Sequence, residues 1–188
     1  MKNLKMLGLF VMAATALMAF AGSASAAGTF TAPAGSAYTG PWSASLEGSA
    51  LLKAGFAEIT CTASTVAGQI TTNNSSEASG SITTVDFSSC GFSTVDTLNH
   101  NGTLKIINGT HAVSGTGVEV TVAVAGTSCV YTLGTTSKSL GNATNTGSGV
   151  TLAITTALPK KSGGFLCADP AQWTANYIVT SPGNSVID

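Results

Sequence analysis

Two histidines, eight carboxylates and four cysteines are the side chains here with chemistry to offer. A hydrolytic centre needs a nucleophile with a base to activate it. His100 and His111 both sit in polar stretches containing Gly and Asn, which read as loops, and no G-x-S-x-G occurs. Ser and Thr are so frequent that one beside a histidine carries no information. Paired carboxylates do no better: Asp86, Asp96, Glu119 and Asp169 are scattered, and no spacing forces two together. His100, His111 and Asp96 have the residue types for a metal site, but solvated loop residues are the simpler reading. The spaced acids of a calcium loop are absent. No Gly-rich stretch follows a strand and opens a helix, so no phosphate cradle is implied. The residues point to a non-enzyme that needs no metal and no cofactor.

The cysteines carry a different message. Cys61, Cys90, Cys129 and Cys167 include no C-x-x-C, so neither zinc nor redox chemistry is indicated. An even count in an exported chain implies disulfides. Three connectivities are open. Cys61–Cys90 with Cys129–Cys167 is favoured, because each pair encloses a short run of expected strands. Loops of that length stabilise by roughly 3–4 kcal/mol apiece in the chain-entropy model.

Export is read from the N-terminus. Lys2 and Lys5 precede an apolar run over residues 7–20, too short for a permanent membrane helix, which needs about 20 apolar residues. Ala24, Ser25 and Ala26 supply the A-x-A pattern, placing cleavage after Ala26 and leaving residues 27–188 as the mature chain. The form of the signal is bacterial in style, and no lipidation cysteine follows it. The expected location is extracellular, cell-surface or periplasmic. Removing Lys2 and Lys5 leaves five lysines, no arginine and eight acids, a net charge of −3. Such a chain has no basic patch for nucleic acid. Asn-x-Ser/Thr triplets at Asn73, Asn74, Asn101, Asn108 and Asn142 arise by chance in so Asn- and Thr-rich a chain.

These few reactive residues must be positioned by strands. Val118, Val120, Val122 and Val124 alternate with Glu119, Thr121 and Ala123, a period of two with β-branched residues. Trp42, Ala44 and Leu46 alternate likewise, as do Ala57, Ile59, Cys61 and Ala63. Val150, Leu152 and Ile154 repeat the pattern, and so do Trp173, Ala175, Tyr177 and Val179. Residues 73–80 (NNSSEASG) and 141–149 (GNATNTGSG) read as loops. Residues 159–164 break the pattern, and residues 169–172 have room for one helical turn. The expected fold is all-β: one antiparallel β-sandwich or flattened barrel of about eight to nine strands, held by disulfides, over residues 42–188. Residues 27–41, with two prolines and three glycines, read as an extended N-terminal arm. Phe30, Tyr38 and Trp42 cluster around it, and the arm could add as a strand to a neighbour's sheet edge. For Trp42 and Trp173 core packing is the plain reading, and a surface for apolar or sugar ligands the sharper one.

The mature start Gly28-Thr29-Phe30-Thr31-Ala32-Pro33 is followed by a strand with one cysteine, Ile59-Thr60-Cys61-Thr62. A Gly-rich turn then leads to Gly80-Ser81-Ile82 and Cys90. Over this first half the chain resembles small secreted proteins of the alkane-oxidation activator type. The second half, from Cys167-Ala168-Asp169-Pro170 through Trp173 and Tyr177 to Pro182, resembles uncharacterised secreted bacterial β-proteins. The first resemblance implies a non-enzymatic extracellular protein linked to growth on hydrophobic substrates, or to biofilm and surface attachment. It carries over no catalytic residues. The expected function is thus structural or surface-interacting, with self-association through the arm as one mechanism. The alternative is an extracellular carrier of an alkane or fatty acid. No integral membrane segment is expected in the mature chain.

Overall fold

Alternation puts every second side chain on one face of a strand, and a sheet with one apolar face can hide it by closing on itself. The chain does this. The structure, a computed structural model, describes residues 29–31, 35–91, 93–124 and 126–188. The expected signal peptide, residues 1–26, and arm residues 27, 28 and 32–34 lie outside them. The strands are β1 (Phe30–Thr31), β2 (Gly40–Ala54), β3 (Ala57–Cys61), β4 (Ala63–Asn73), β5 (Glu77–Ser88), β6 (Val95–Asn99), β7 (Gly102–Ile107), β8 (Ala112–Thr116), β9 (Glu119–Val124), β10 (Thr127–Thr132), β11 (Lys138–Thr146), β12 (Gly149–Leu158), β13 (Lys160–Ser162), β14 (Ala171–Ser181) and β15 (Val186–Ile187). The described residues contain no helix, so the turn expected at residues 169–172 is not helical.

Eight strands form a closed antiparallel barrel in the order β14-β12-β11-β8-β7-β5-β4-β2, with β2 pairing back onto β14. β3 extends the β2 side as an additional strand. A separate four-stranded sheet, β13-β10-β9-β6, covers one end of the barrel. Its inner side carries Val120, Val122 and Tyr131, all buried, and Val118 just before β9 is buried as well. β6 is anchored to β5 by side chains: Thr97 Oγ1 donates to the Val85 carbonyl, and the Val85 amide donates to His100 Nδ1 at 3.2 Å.

The barrel interior is apolar. Trp42, Ala44, Leu52, Ile70, Ile82, Val85, Leu152, Ile154, Ala175 and Tyr177 are buried there. The cross-strand neighbours facing outward are small and polar, for example Ser45, Thr65 and Asp86 in one row and Thr103 and Thr116 in another. A transmembrane barrel has the reverse distribution, with an apolar outer band. No helix among the described residues is long and apolar enough to cross a membrane.

Packing is tight enough to dictate residue size in the wall. A Cβ at Gly68 would lie 1.9 Å from the Ser81 carbonyl oxygen and 2.9 Å from Trp42 Nε1. Glycine there lets β5 approach while the Trp42 indole donates to Ser81 O at 3.4 Å.

Two expected loops are strands. Residues 77–80 begin β5, and residues 141–146 belong to β11, which is hydrogen-bonded on both sides by β8 and β12. A place between two neighbours in a closed sheet overrides the weak strand preference of Gly and Asn. The break at residues 159–164 also contains a short strand, β13, added to the edge of β10. Both disulfides pair as favoured, Cys61–Cys90 and Cys129–Cys167.

Candidate functional site

One pole of the barrel is where β2 ends. β2 and β3 are joined by the two-residue turn Gly55-Phe56, with Ala54 paired to Ala57. Gly55 occupies φ +70°, which suits the first central position of a type II′ hairpin turn. Across this hairpin Lys53 Nζ and Glu58 Oε2 lie 3.2 Å apart. The turn pushes Phe56 outward, where its side chain is 72% exposed. Gly55 abuts the neighbouring loop: a Cβ added to it would lie 3.3 Å from the Ala168 Cβ.

That neighbouring loop, residues 163–170, carries Phe165, which is 95% exposed. It is pinned in several places. The Cys129–Cys167 disulfide ties it to β10. The Lys160 amide donates to Asp169 Oδ1 at 3.0 Å, and Lys160 Nζ donates to the Cys167 carbonyl at 3.2 Å. The Cys167 amide donates to Gly164 O at 3.1 Å. Two phenyl rings thus stand on adjacent, held loops; the other large apolar side chains exposed among the described residues, Leu98 and Val186, are less so, at 55% and 41%. Moving a phenylalanine side chain out of water stabilises by about 1.5–3 kcal/mol. Two together supply about 3–6 kcal/mol, a millimolar to tens-of-micromolar attachment.

The opposite pole is closed by the arm. β1 pairs with β15 of its own chain, Phe30 opposite Ile187 and Thr31 opposite Val186. Asn73 clamps the arm: its Oδ1 accepts from the Phe30 amide at 3.1 Å, and its Nδ2 donates to Phe30 O and, at 2.8 Å, to Tyr38 O. Phe30 is 2% exposed and fills the barrel mouth beside Trp42, Ile70 and Ile106. The Tyr38 ring meets it edge-on at 6.2 Å, and the Tyr38 hydroxyl donates to Pro41 O at 2.7 Å. The backbone edge expected to reach a neighbour is therefore occupied within the chain. Phe30 and Trp42 are core residues, Trp42 in β2.

Between the poles the barrel is filled. Three voids among the described residues of the interior measure about 20, 30 and 40 Å³, each comparable to a water molecule and lined almost wholly by apolar side chains. An alkane or fatty acid would have to displace packed side chains to enter them. Trp173 lies at the border of this core, edge-on to Phe87 and to Tyr177 at 6.2 and 6.4 Å.

The residues weighed for chemistry are not brought together. His100 Nδ1 is used as an acceptor by the Val85 amide, and His111 Nε2 donates to Asp188 O at 3.2 Å at the far pole. Among the described residues no three His, Cys, Asp or Glu side chains converge on one point. Glu119 pairs with Lys161 at 2.6 Å, and Asp169 holds the Lys160 amide. The buried Tyr131 hydroxyl has no partner among the described residues, and burial, aided by Asp169, pushes its phenol above the ordinary tyrosine range. Phe56 and Phe165 were not singled out from the sequence. Each follows a glycine, Gly55-Phe56 and Gly164-Phe165, and the alternation of Ala57, Ile59 and Cys61 sets Phe56 on the opposite face with Glu58 and Thr60.

The fold and this pole define a disulfide-bonded closed β-barrel with one aromatic end. Compared with known proteins, the chain matches no family model, no curated protein and no solved structure.

Proposed function

We propose that this is a secreted, non-enzymatic surface-interaction protein that attaches its aromatic pole to a hydrophobic surface. The observation that carries the reading is the exposure of Phe56 and Phe165, 72% and 95%, on adjacent loops held by a tight turn and a disulfide. Rings that project into solvent suit a soft apolar phase, such as an oil droplet or lipid surface. The paired disulfides suit an oxidising location outside the cytoplasm. The water-sized interior voids favour attachment over carriage of an apolar molecule inside the barrel.

The test is partition of the purified mature chain onto hexadecane droplets and phosphatidylcholine vesicles. The native chain is expected to bind at least one of them. The double variant Phe56→Ser, Phe165→Ser is expected to lose binding by on the order of a hundredfold while keeping its fold. Equal binding by both chains, or none by the native chain, overturns the reading.

A further inference from the structure

The barrel wall has a break. β2 pairs with β4 from Gly40–Ile70 to Ser45–Thr65, and with β3 from Ala50–Cys61 to Ala54–Ala57. Between these ladders, residues 46–49 of β2 oppose residues 62–64 without pairing. Four residues face three, so β2 bulges, and Gly48 takes φ +79° at that point. The Thr62 amide turns away and donates to Ser89 O at 3.1 Å. The two segments part, and an open recess of about 300 Å³ lies at the outer surface there.

The lining is mixed. Ser45, Thr62, Thr65 and Ser88 bring hydroxyls and Asp86 a carboxylate, while Leu46 and Ala63 add apolar surface. Ser45, Thr65 and Asp86 are direct cross-strand neighbours on β2, β4 and β5, about 5 Å apart. Ser64 also borders the recess, but its side chain is buried and its Oγ is engaged by the Tyr177 hydroxyl at 2.9 Å inside the barrel. Asp86 makes no salt bridge among the described residues.

This chemistry selects against most ligand classes. An anion would meet the Asp86 charge. An alkyl chain would leave the hydroxyls without partners. A bare calcium ion needs six to eight oxygens at about 2.3–2.6 Å, a shell far tighter than this recess. A neutral sugar ring matches both parts of this lining: its hydroxyls suit Asp86 and the serine and threonine side chains, and its C–H face suits Leu46 and Ala63. A vicinal diol donates twice to Asp86, and the serine and threonine hydroxyls both give and accept. The volume sits at the lower limit of small-molecule sites, about 300–1,000 Å³, which suits one ring and no more. We propose that this break in the barrel wall is a binding site for a single neutral sugar residue. The inference does not rest on the aromatic pole.

The test is amide NMR of the intact mature chain titrated with the methyl glycosides of glucose, galactose, mannose and N-acetylglucosamine, and separately with calcium chloride. At least one glycoside is expected to give saturable shifts confined to residues 45–48, 62–65 and 86–88. Asp86→Asn, at an exposed position, is expected to weaken binding at least about tenfold with the remaining spectrum unchanged. Thr65→Val is expected to act in the same direction. The Phe56→Ser, Phe165→Ser chain is expected to bind the glycoside as the native chain does, which separates this site from the aromatic pole. Absence of saturable shifts with every glycoside overturns the proposal. So do shifts produced by calcium alone, and so does glycoside binding that both Asp86→Asn and Thr65→Val leave intact.

Discussion

Ser64 Oγ and the Tyr177 hydroxyl meet at 2.9 Å inside the barrel, although 113 residues separate them in the chain. The contact joins β4 to β14 across β2 and satisfies two buried hydroxyls at once. Leaving either alone would cost about 1–3 kcal/mol.

The same burial sets a pH dependence. Desolvation pushes the Tyr177 phenol from 10.0 to about 12, partly offset by the bond from Ser64. Above pH 10 the unfolded chain gives up this proton while the folded chain keeps it. The contribution of Tyr177 is therefore intact below pH 10 and is lost as the pH rises through about 12, a change of about 2–3 kcal/mol. Thermal melts from pH 9 upward check this, with phenolate absorbance as a second readout. Tyr177→Phe is expected to flatten that part of the profile and to lower stability at neutral pH by stranding Ser64.

Gly68→Ala tests the wall. Its methyl would sit 1.9 Å from a backbone oxygen, which cannot swing aside as a flexible side chain would. The expected cost is about 3 kcal/mol, read by denaturant unfolding, with quenching of the Trp42 emission altered because the indole must move.

Phe30→Ala tests the closed pole. Removing a ring that is 2% exposed opens a cavity continuous with the barrel mouth, at an expected cost of about 3–5 kcal/mol. Binding of an environment-sensitive apolar dye is expected to rise. A swap of arms between copies would instead give dimers in sedimentation of the native chain.

Phe56→Ser and Phe165→Ser should behave oppositely. Neither ring packs against the core, so each change is expected to alter stability by less than about 0.5 kcal/mol. Unchanged melting beside lost droplet binding is the combination that assigns these rings to attachment.

Replacing Cys129 and Cys167 by serine loosens the loop that carries Phe165. The expected loss of stability is about 3–4 kcal/mol from the closed loop alone. Droplet binding is expected to weaken as well, because a mobile ring must be ordered on contact.

Much of this was legible beforehand. The valine alternation of β9 announces a half-buried strand, and the two cysteine pairs follow from enclosing runs of strands. The all-β class rests on the same periodicity. Other parts depend on neighbours that a local reading does not contain. β11, with its Gly, Asn and Thr, is a strand because β8 and β12 flank it. Phe30 reads as part of a free arm because its partners, Asn73 and Ile187, lie far along the chain. Closure of the barrel rests on β2 meeting β14, strands that lie near opposite ends of the sequence. Phe56 was half legible, since alternation sets it opposite Ile59 and Cys61 with Glu58 and Thr60; Phe165 was illegible, because what marks it is the absence of neighbours, and only a folded surface reveals that.

The pairing of β1 with β15 also gives the molecule a mechanical polarity. The Asp188 amide donates to Thr29 O at 3.1 Å, so the two ends of the described chain lie side by side at the pole remote from Phe56. A load applied between these ends would peel β1 from β15 like a zipper, breaking hydrogen bonds singly. A load between the aromatic pole and either end runs instead along β2 and β14, whose hydrogen bonds lie across the pull and share it in shear. A barrel held by one end and gripping a surface with the other would thus be pulled along its strong axis.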